Sequence, residues 1–124
     1  MSNLFAYSMV FLTILLTVYA QFVVKWRVVS AGLLPASWTD RTSHMFSLVL
    51  DPWVITAFMA AFLASVTWMF AMTRLQISHA YPMTALTFVI VVIGGAFLFN
   101  EPLTTPKIAG IALIVIGIYV GSQG

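Results

Sequence analysis

A polar stripe runs along the first apolar segment of the chain. Every fourth position of this segment is polar, at Thr13, Thr17, Gln21 and Lys25. This spacing keeps the side chains on one slowly turning helix face, which should meet another helix or a wet cleft because polar groups facing lipid are costly. Thr13 is expected to hydrogen-bond between helices. An amide and an ammonium near the helix end favour an anionic ligand at Gln21 and Lys25, although Lys25 could instead extend to the lipid headgroups.

Two further apolar segments carry side chains that could contact a ligand. Trp68 is the one tryptophan deep inside such a segment. It could stack on a sugar ring or an isoprenoid chain, or only fill space between helices. Arg74 ends the same segment, and the next one presents hydrogen-bonding side chains at three-residue spacing, at Tyr81, Thr84 and Thr87. These residues predict a site that offers positive charge and hydroxyl groups.

The positions of the three acids restrict the chemistry further. Asp40, Asp51 and Glu101 all fall outside the apolar segments. A proton-coupled exporter of cations needs a carboxylate embedded in the membrane that binds either a proton or the cation. The expected ligand is therefore an anionic or neutral polar headgroup, including one attached to a lipid tail.

Composition disfavours several other classes of function. The sequence has no cysteine, and its two histidines and three acids are widely spaced, so neither a metal site nor a cofactor is predicted. The net charge of +2 includes no basic run that could follow a nucleic-acid backbone. The pattern shows no nucleophile paired with a base, and enzyme activity is not expected.

The elements that must position these residues are helices in a membrane. Of 124 residues, 62% are hydrophobic and 6% are charged, whereas a soluble domain has about 25% charged residues. Crossing the hydrocarbon core takes a helix of about 20 apolar residues. We predict an all-α membrane protein whose single domain, residues 1–124, has four transmembrane helices. The predicted spans are 4–24, 53–73, 80–99 and 106–122, and residues 25–52 form a long loop.

Local signals mark the ends of these spans. Asp51-Pro52 and Thr105-Pro106 each place a capping residue before a proline at the first helical position. Within the long loop, His44–Leu50 is apolar enough to form a short helix in the membrane interface. The side of the long loop carries Lys25, Arg27, Arg41 and Lys107, and the other side carries Arg74. The positive-inside rule places the loop in the cytoplasm, but the bias nearly disappears if Lys25 and Arg27 are functional, so the orientation stays open.

The last predicted span carries a glycine face. Gly110, Gly117 and Gly121 share one side of the helix and include one small-xxx-small step. This face is predicted to pack against another helix and to form the seam of a dimer. Four short spans are too few to enclose a transport path, so the chain is expected to dimerise. The residues do not distinguish a homodimer from a heterodimer with a similar subunit, or a parallel from an antiparallel arrangement.

Several short motifs occur in a familiar order. They are Tyr19-Ala20-Gln21 followed by Lys25, then His79-Ala80-Tyr81-Pro82-Met83, Asn100-Glu101-Pro102-Leu103 and the glycines of the last span. In this order the chain resembles the drug/metabolite transporter superfamily, and more narrowly its small four-helix branch, the small multidrug resistance proteins and their relatives. Within that branch it is most similar to the paired subunits thought to flip undecaprenyl-phosphate-linked aminoarabinose across the bacterial inner membrane.

The chain departs from the multidrug exporters at the positions that matter for cation transport. With Lys25 aligned to the lysine that ends their first helix, their essential glutamate falls on Thr17. Their Tyr-Ala-x-Trp becomes residues 81–84, Tyr-Pro-Met-Thr, and the glycines that follow become Leu86 and Phe88. These differences count against drug or guanidinium export and favour the lipid-linked sugar branch.

The resemblance implies a flippase for a polyprenyl-phosphate-linked sugar that serves cell-envelope glycan or lipopolysaccharide modification. Lys25, assisted by Arg27 or Arg74, would hold the phosphate. The sugar would meet side chains on three helices, namely Thr17, Gln21, Trp68, Tyr81, Thr84 and Thr87. Two alternatives stay open: a small exporter of drugs or cationic metabolites, and a non-transporting subunit of a membrane glycosylation complex.

Overall fold

The computed structural model describes residues 2–124 and is helical through most of that range. The long helices are α1 (Ser2–Ala31), α2 (Trp38–Val49), α3 (Pro52–Met72), α5 (Leu86–Leu98) and α6 (Thr105–Gly121), and a short α4 (Ile77–Ala80) continues into a 3-10 segment, Tyr81–Ala85. Between residues 2 and 124 no β-strand is present. This architecture confirms the all-α fold class.

Within residues 2–124, three stretches are long and apolar enough to cross a membrane. They are Asn3–Ala31, Pro52–Met72 and Ile77–Leu98, and Thr105–Gly121 is a shorter apolar helix. At about 1.5 Å per residue, that last helix is about 26 Å long, close to the hydrocarbon core of about 30 Å. The chain is a multi-pass membrane protein, and α6 stays predicted as its fourth span.

The structure differs from the sequence-based prediction in segment 25–52, which is mostly helical rather than a loop. α1 continues past Lys25 to Ala31 and stops where Gly32 adopts φ +85°, a left-handed conformation that glycine takes at no steric cost. Ser37 then accepts the backbone N–H of Asp40 and starts α2, which is longer than the predicted His44–Leu50 helix. Hydropathy marks the lipid-crossing part of a helix, whereas the backbone turn marks its end.

The second predicted helix start agrees with its sequence signal. Asp51 Oδ1 accepts the backbone N–H of Trp53 at 2.8 Å, and Pro52 occupies the first turn, where it removes a donor that the helix could not use. This cap fixes where α3 begins relative to the end of α1.

α1 and α3 form the central antiparallel pair. Trp26 meets Trp53 at one end, with ring centroids 5.5 Å apart, and Phe5 meets Phe70 at the other, with centroids 6.1 Å apart. The buried residues of α3 are mostly small, namely Val54, Ala57, Ala60, Ala64, Thr67 and Ala71. Alanines let two helix backbones approach closely where van der Waals packing, and not the exclusion of water, holds them together.

α5 approaches α1 closely, whereas α6 lies at the edge of the chain. A Cβ added to Gly94 of α5 would overlap the Phe22 ring of α1, so glycine is what permits this approach. α6 contacts α5 and the 3-10 segment and contains no buried residue. A Cβ added to Gly110, Gly117 or Gly121 would meet nothing within 4 Å. On this face Gly117 and Gly121 are exposed, and Gly110 is half-buried.

Candidate functional site

A cleft of about 490 Å³ lies between α1, α3 and the 3-10 segment. Its walls are formed by Thr13, Thr17, Ala20, Gln21, Ala61, Ala64, Ser65, Trp68, Met69, Tyr81 and Thr84. Five of the residues predicted to contact substrate, on three separate elements, therefore meet in one space. Gln21, Ser65 and Tyr81 are exposed, which means that the cleft opens to the outside of the single chain.

The stripe on α1 changes its role along the helix. Thr13 is buried, and its hydroxyl lies 2.6 Å from that of Thr67 on α3, which confirms the predicted interhelical hydrogen bond. One turn later Thr17 is half-buried at the cleft wall, and one turn further Gln21 is exposed within it. The slow rotation of an i, i+4 series carries the polar groups from the helix contact into the cleft.

Aromatic side chains form one wall of the cleft. The rings of Trp68 and Tyr81 pack edge to face, with centroids 6.1 Å apart and planes at 79°. Trp68 also packs on the buried cluster around Ile14 and Val18, so it fills space between helices and lines the cleft at the same time. Tyr81 is 65% exposed and lines the cleft, where it can contact a ligand.

The 3-10 segment gives the third wall its shape. Pro82 has no N–H to donate and interrupts regular α-helical bonding at its start. The hydroxyl of Thr84 donates to the Tyr81 carbonyl, which leaves its oxygen lone pairs for a ligand in the cleft. Thr87, which was also predicted to contact substrate, lies beyond this segment on α5, half-buried and outside the walls of this cleft.

A second, smaller cleft of about 210 Å³ adjoins the first through Gln21. It is lined by Gln21, Phe22, Lys25, Val91, Gly95, Phe99 and Glu101. Lys25 Nζ lies 3.4 Å from Glu101 Oε2, and the two side chains are 49% and 43% exposed. Lys25, which was predicted to bind an anion, is therefore paired with the Glu101 carboxylate. The sequence analysis did not predict this contact.

Arg27 is engaged in an ion pair that holds two helices together. Its Nε donates to Asp51 Oδ2 at 3.0 Å, and its guanidinium lies 4.8 Å from the centroid of the Trp26 ring. Partial desolvation raises the pKa of the Asp51 carboxyl. The Trp53 amide and the Arg27 guanidinium outweigh this effect and hold that pKa below its usual value. Arg27 thus joins the end of α1 to the start of α3, on the side of the chain where Lys25 lies.

Arg74 lies at the opposite end of the α1–α3 pair. It follows α3 beyond the Phe5–Phe70 contact, whereas Lys25 neighbours the Trp26–Trp53 contact. The two contacts are about 20 residues apart along α1, or about 30 Å. Lys25 lies near the C-terminal end of α1 and Arg74 follows the C-terminal end of α3, and these two ends are on opposite sides of an antiparallel pair. Within one subunit Lys25 and Arg74 therefore cannot bind the same phosphate, contrary to the expectation that Arg74 could assist Lys25.

Several residues that line the two clefts were not among the predicted substrate contacts. They are Glu101 and four small residues, Ser65, Ala20, Ala61 and Ala64. Ser65 is one turn from Trp68 on the same helix face, a spacing that the sequence already displays. Ala20, Ala61 and Ala64 contribute space more than chemistry. Across residues 2–124 no group of acids, histidines or cysteines could hold a metal ion. The two clefts offer hydroxyls, an amide, aromatic faces and one ammonium with its counter-ion.

Comparison with known proteins agrees with this chemistry. The model of the EamA-like transporter family matches residues 2–122. The chain is 36% identical over 93 residues to a Pseudomonas aeruginosa protein named as a probable 4-amino-4-deoxy-L-arabinose-phosphoundecaprenol flippase subunit ArnE, covering 75% of this chain and 71% of that protein. Proteins named as the ArnF subunit of the same flippase are 34% identical over 120 residues. For Photorhabdus laumondii this covers 90% of this chain and 92% of the relative, and for Shewanella sediminis 86% and 80%. No solved structure matches the chain.

Proposed function

This chain belongs to the EamA-like transporter family, and from that premise we propose that it is one subunit of a flippase for an undecaprenyl-phosphate-linked aminosugar in the bacterial inner membrane. The observation that carries the proposal is that Gln21 lines both the larger cleft, with its hydroxyls, and the smaller cleft, with the Lys25 ammonium. We assign the chain no catalytic step, and its relatives carry the names of flippase subunits.

The two clefts match the two parts of a sugar-phosphate headgroup. Lys25 binds the phosphate, because an ammonium forms charge-assisted hydrogen bonds with phosphate oxygens. The sugar lies in the larger cleft against Thr17, Tyr81 and Thr84, and its apolar face packs on Trp68. A volume of about 490 Å³ is within the range of pockets that bind small molecules, about 300–1,000 Å³. The polyprenyl chain stays in the lipid.

A second subunit completes the path. The larger cleft opens to the outside of the chain, so one subunit provides a groove and its partner provides the facing wall. The relatives are named as the ArnE and ArnF subunits of a flippase. These names support a heterodimer with a similar chain more than a homodimer. Arg74, about 30 Å from Lys25 along the helix pair, would receive the phosphate near the opposite membrane surface. Arg27 stabilises the end of the groove near Lys25 through its ion pair with Asp51.

The proposal is tested by following the sugar amine across a membrane. The chain is reconstituted in vesicles, alone and with any partner that co-purifies, together with undecaprenyl-phosphate-linked 4-amino-4-deoxyarabinose. A membrane-impermeant, amine-reactive reagent then labels the headgroups on the outer surface. We expect labelling of nearly the whole pool with the protein and about half of it in protein-free vesicles. If only about half of the pool is labelled with the chain alone and also with its partner present, flippase activity is contradicted. The alternative of a non-transporting subunit then remains.

Gln21→Ala is expected to slow translocation by about two- to tenfold. Gln21 lines both clefts, so the headgroup passes its amide whichever cleft it occupies, and one neutral hydrogen bond contributes about 0.5–1.5 kcal/mol. The amine-labelling rate measures the effect. The matched control is Gln123→Ala at the exposed end of the chain, which should behave as the wild type. Equal rates for the two variants would remove Gln21 from the path.

A further inference from the structure

The Glu101 carboxylate is placed beside Lys25 by the backbone that follows α5. Asn100 adopts φ +54°, the one positive φ of a non-glycine residue among residues 2–124. The Glu101 backbone N–H donates to the Gly95 carbonyl at 3.2 Å. A Cβ on Gly95 would lie 2.6 Å from Glu101 Oε1, so the lack of a side chain there makes room for the carboxylate. The turn and the glycine position an acid against the ammonium of α1.

An empty flippase must accommodate Lys25 without its substrate. An unpaired ammonium beside hydrocarbon is costly, and the Glu101 carboxylate, 3.4 Å from the Lys25 ammonium, lowers that cost by balancing its charge. Both side chains are nearly half exposed, and ion pairs of that exposure are weak. The ion pair therefore balances the charge of Lys25, yet another anion can take the place of Glu101.

Building on the proposed function, we infer that Glu101 occupies the phosphate position on Lys25 in the substrate-free protein and that the phosphate enters by displacing it. A phosphodiester carries one negative charge, as the Glu101 carboxylate does, so the exchange leaves the charge around Lys25 unchanged. Headgroups without an anion cannot replace Glu101. Glu101 is thus a specificity-determining residue that restricts the smaller cleft to lipid headgroups that contain an anionic group.

Glu101→Gln tests the exchange because it removes the competing charge and keeps the size of the side chain. The purified full-length protein in nanodiscs is titrated with undecaprenyl phosphate. We expect the variant to bind about two- to fivefold more tightly than the wild type, the effect of losing one partly exposed ion pair. Asp40→Asn is the matched control, since it removes a negative charge from the exposed start of α2, and its affinity should equal that of the wild type. Unchanged or weaker binding by Glu101→Gln would overturn the exchange.

A second measurement uses the wild-type protein and does not depend on the folding of a variant. A carbodiimide joins the Lys25 amine and the Glu101 carboxylate as an amide with loss of water, and mass spectrometry of the linked peptides gives the yield. Saturating undecaprenyl phosphate should lower that yield severalfold. An unchanged yield in protein that has bound the lipid would contradict the displacement. If the wild type binds neither undecaprenyl phosphate nor its 4-amino-4-deoxyarabinose derivative, the proposed function itself is contradicted.

Discussion

Lys25→Ala is expected to slow translocation of the aminosugar lipid by about 10- to 100-fold. Lys25 provides the ammonium of the smaller cleft, and a hydrogen bond to a charged partner contributes about 1.5–3 kcal/mol. Phosphate binding without this group would depend on hydroxyls and on Gln21, which are neutral donors. The amine-labelling rate in vesicles measures the loss, and titration with undecaprenyl phosphate should show a parallel decrease in affinity.

Two controls separate loss of the phosphate ligand from other effects of the change. Lys25→Ala leaves Glu101 without its partner, so the double variant Lys25→Ala/Glu101→Gln removes both charges. It should remain as slow as the single variant, because the phosphate still lacks its cation. Lys107→Ala removes an exposed ammonium that bonds the Pro102 carbonyl at 3.0 Å and should retain the wild-type rate. Recovery of the rate in the double variant would show that Lys25 serves only to neutralise Glu101.

The features that could be predicted from the sequence are those that depend on neighbouring residues. The four-residue spacing on α1 was enough to place Thr17 and Gln21 on the face that lines the cleft, because helix periodicity is a local property. The start of α3 at Asp51-Pro52 was also readable, since the cap and its amide donor are two residues apart. Apolar length alone indicated helices that cross a membrane.

The pairing of Lys25 with Glu101 could not be derived in the same way. It depends on α5 packing against α1 where Gly94 admits the Phe22 ring, and on the turn at Asn100 that directs the chain back. No local pattern connects residues so far apart in the sequence. The separation of Lys25 from Arg74, by contrast, was already implied, because two antiparallel spans place these residues on opposite sides of the membrane.

The glycine face of α6 is the basis of a second prediction with a large expected effect, on subunit association. α6 has no fully buried residue within the chain, and a Cβ added to Gly110, Gly117 or Gly121 would meet nothing within 4 Å. Glycine in a helix costs about 1 kcal/mol relative to alanine, so three of them on one face need a compensating contact. A partner helix packed against this face would provide it, through close backbone approach.

Gly117→Leu is therefore expected to weaken subunit association by about 5- to 100-fold and to reduce translocation with it. A Cβ at position 117 meets nothing within 4 Å in the single chain, the residue is exposed and leucine has a better helix propensity, so the subunit should fold. At a packed seam the same side chain overfills the contact, which costs about 1–3 kcal/mol. Association is measured by single-molecule photobleaching in vesicles across a range of protein densities. Ala112→Leu, which enlarges an exposed residue on the opposite face of α6, should associate as the wild type does. If Gly117→Leu associates as tightly as Ala112→Leu, the seam lies on another helix, and the open side of the larger cleft is the next face to substitute.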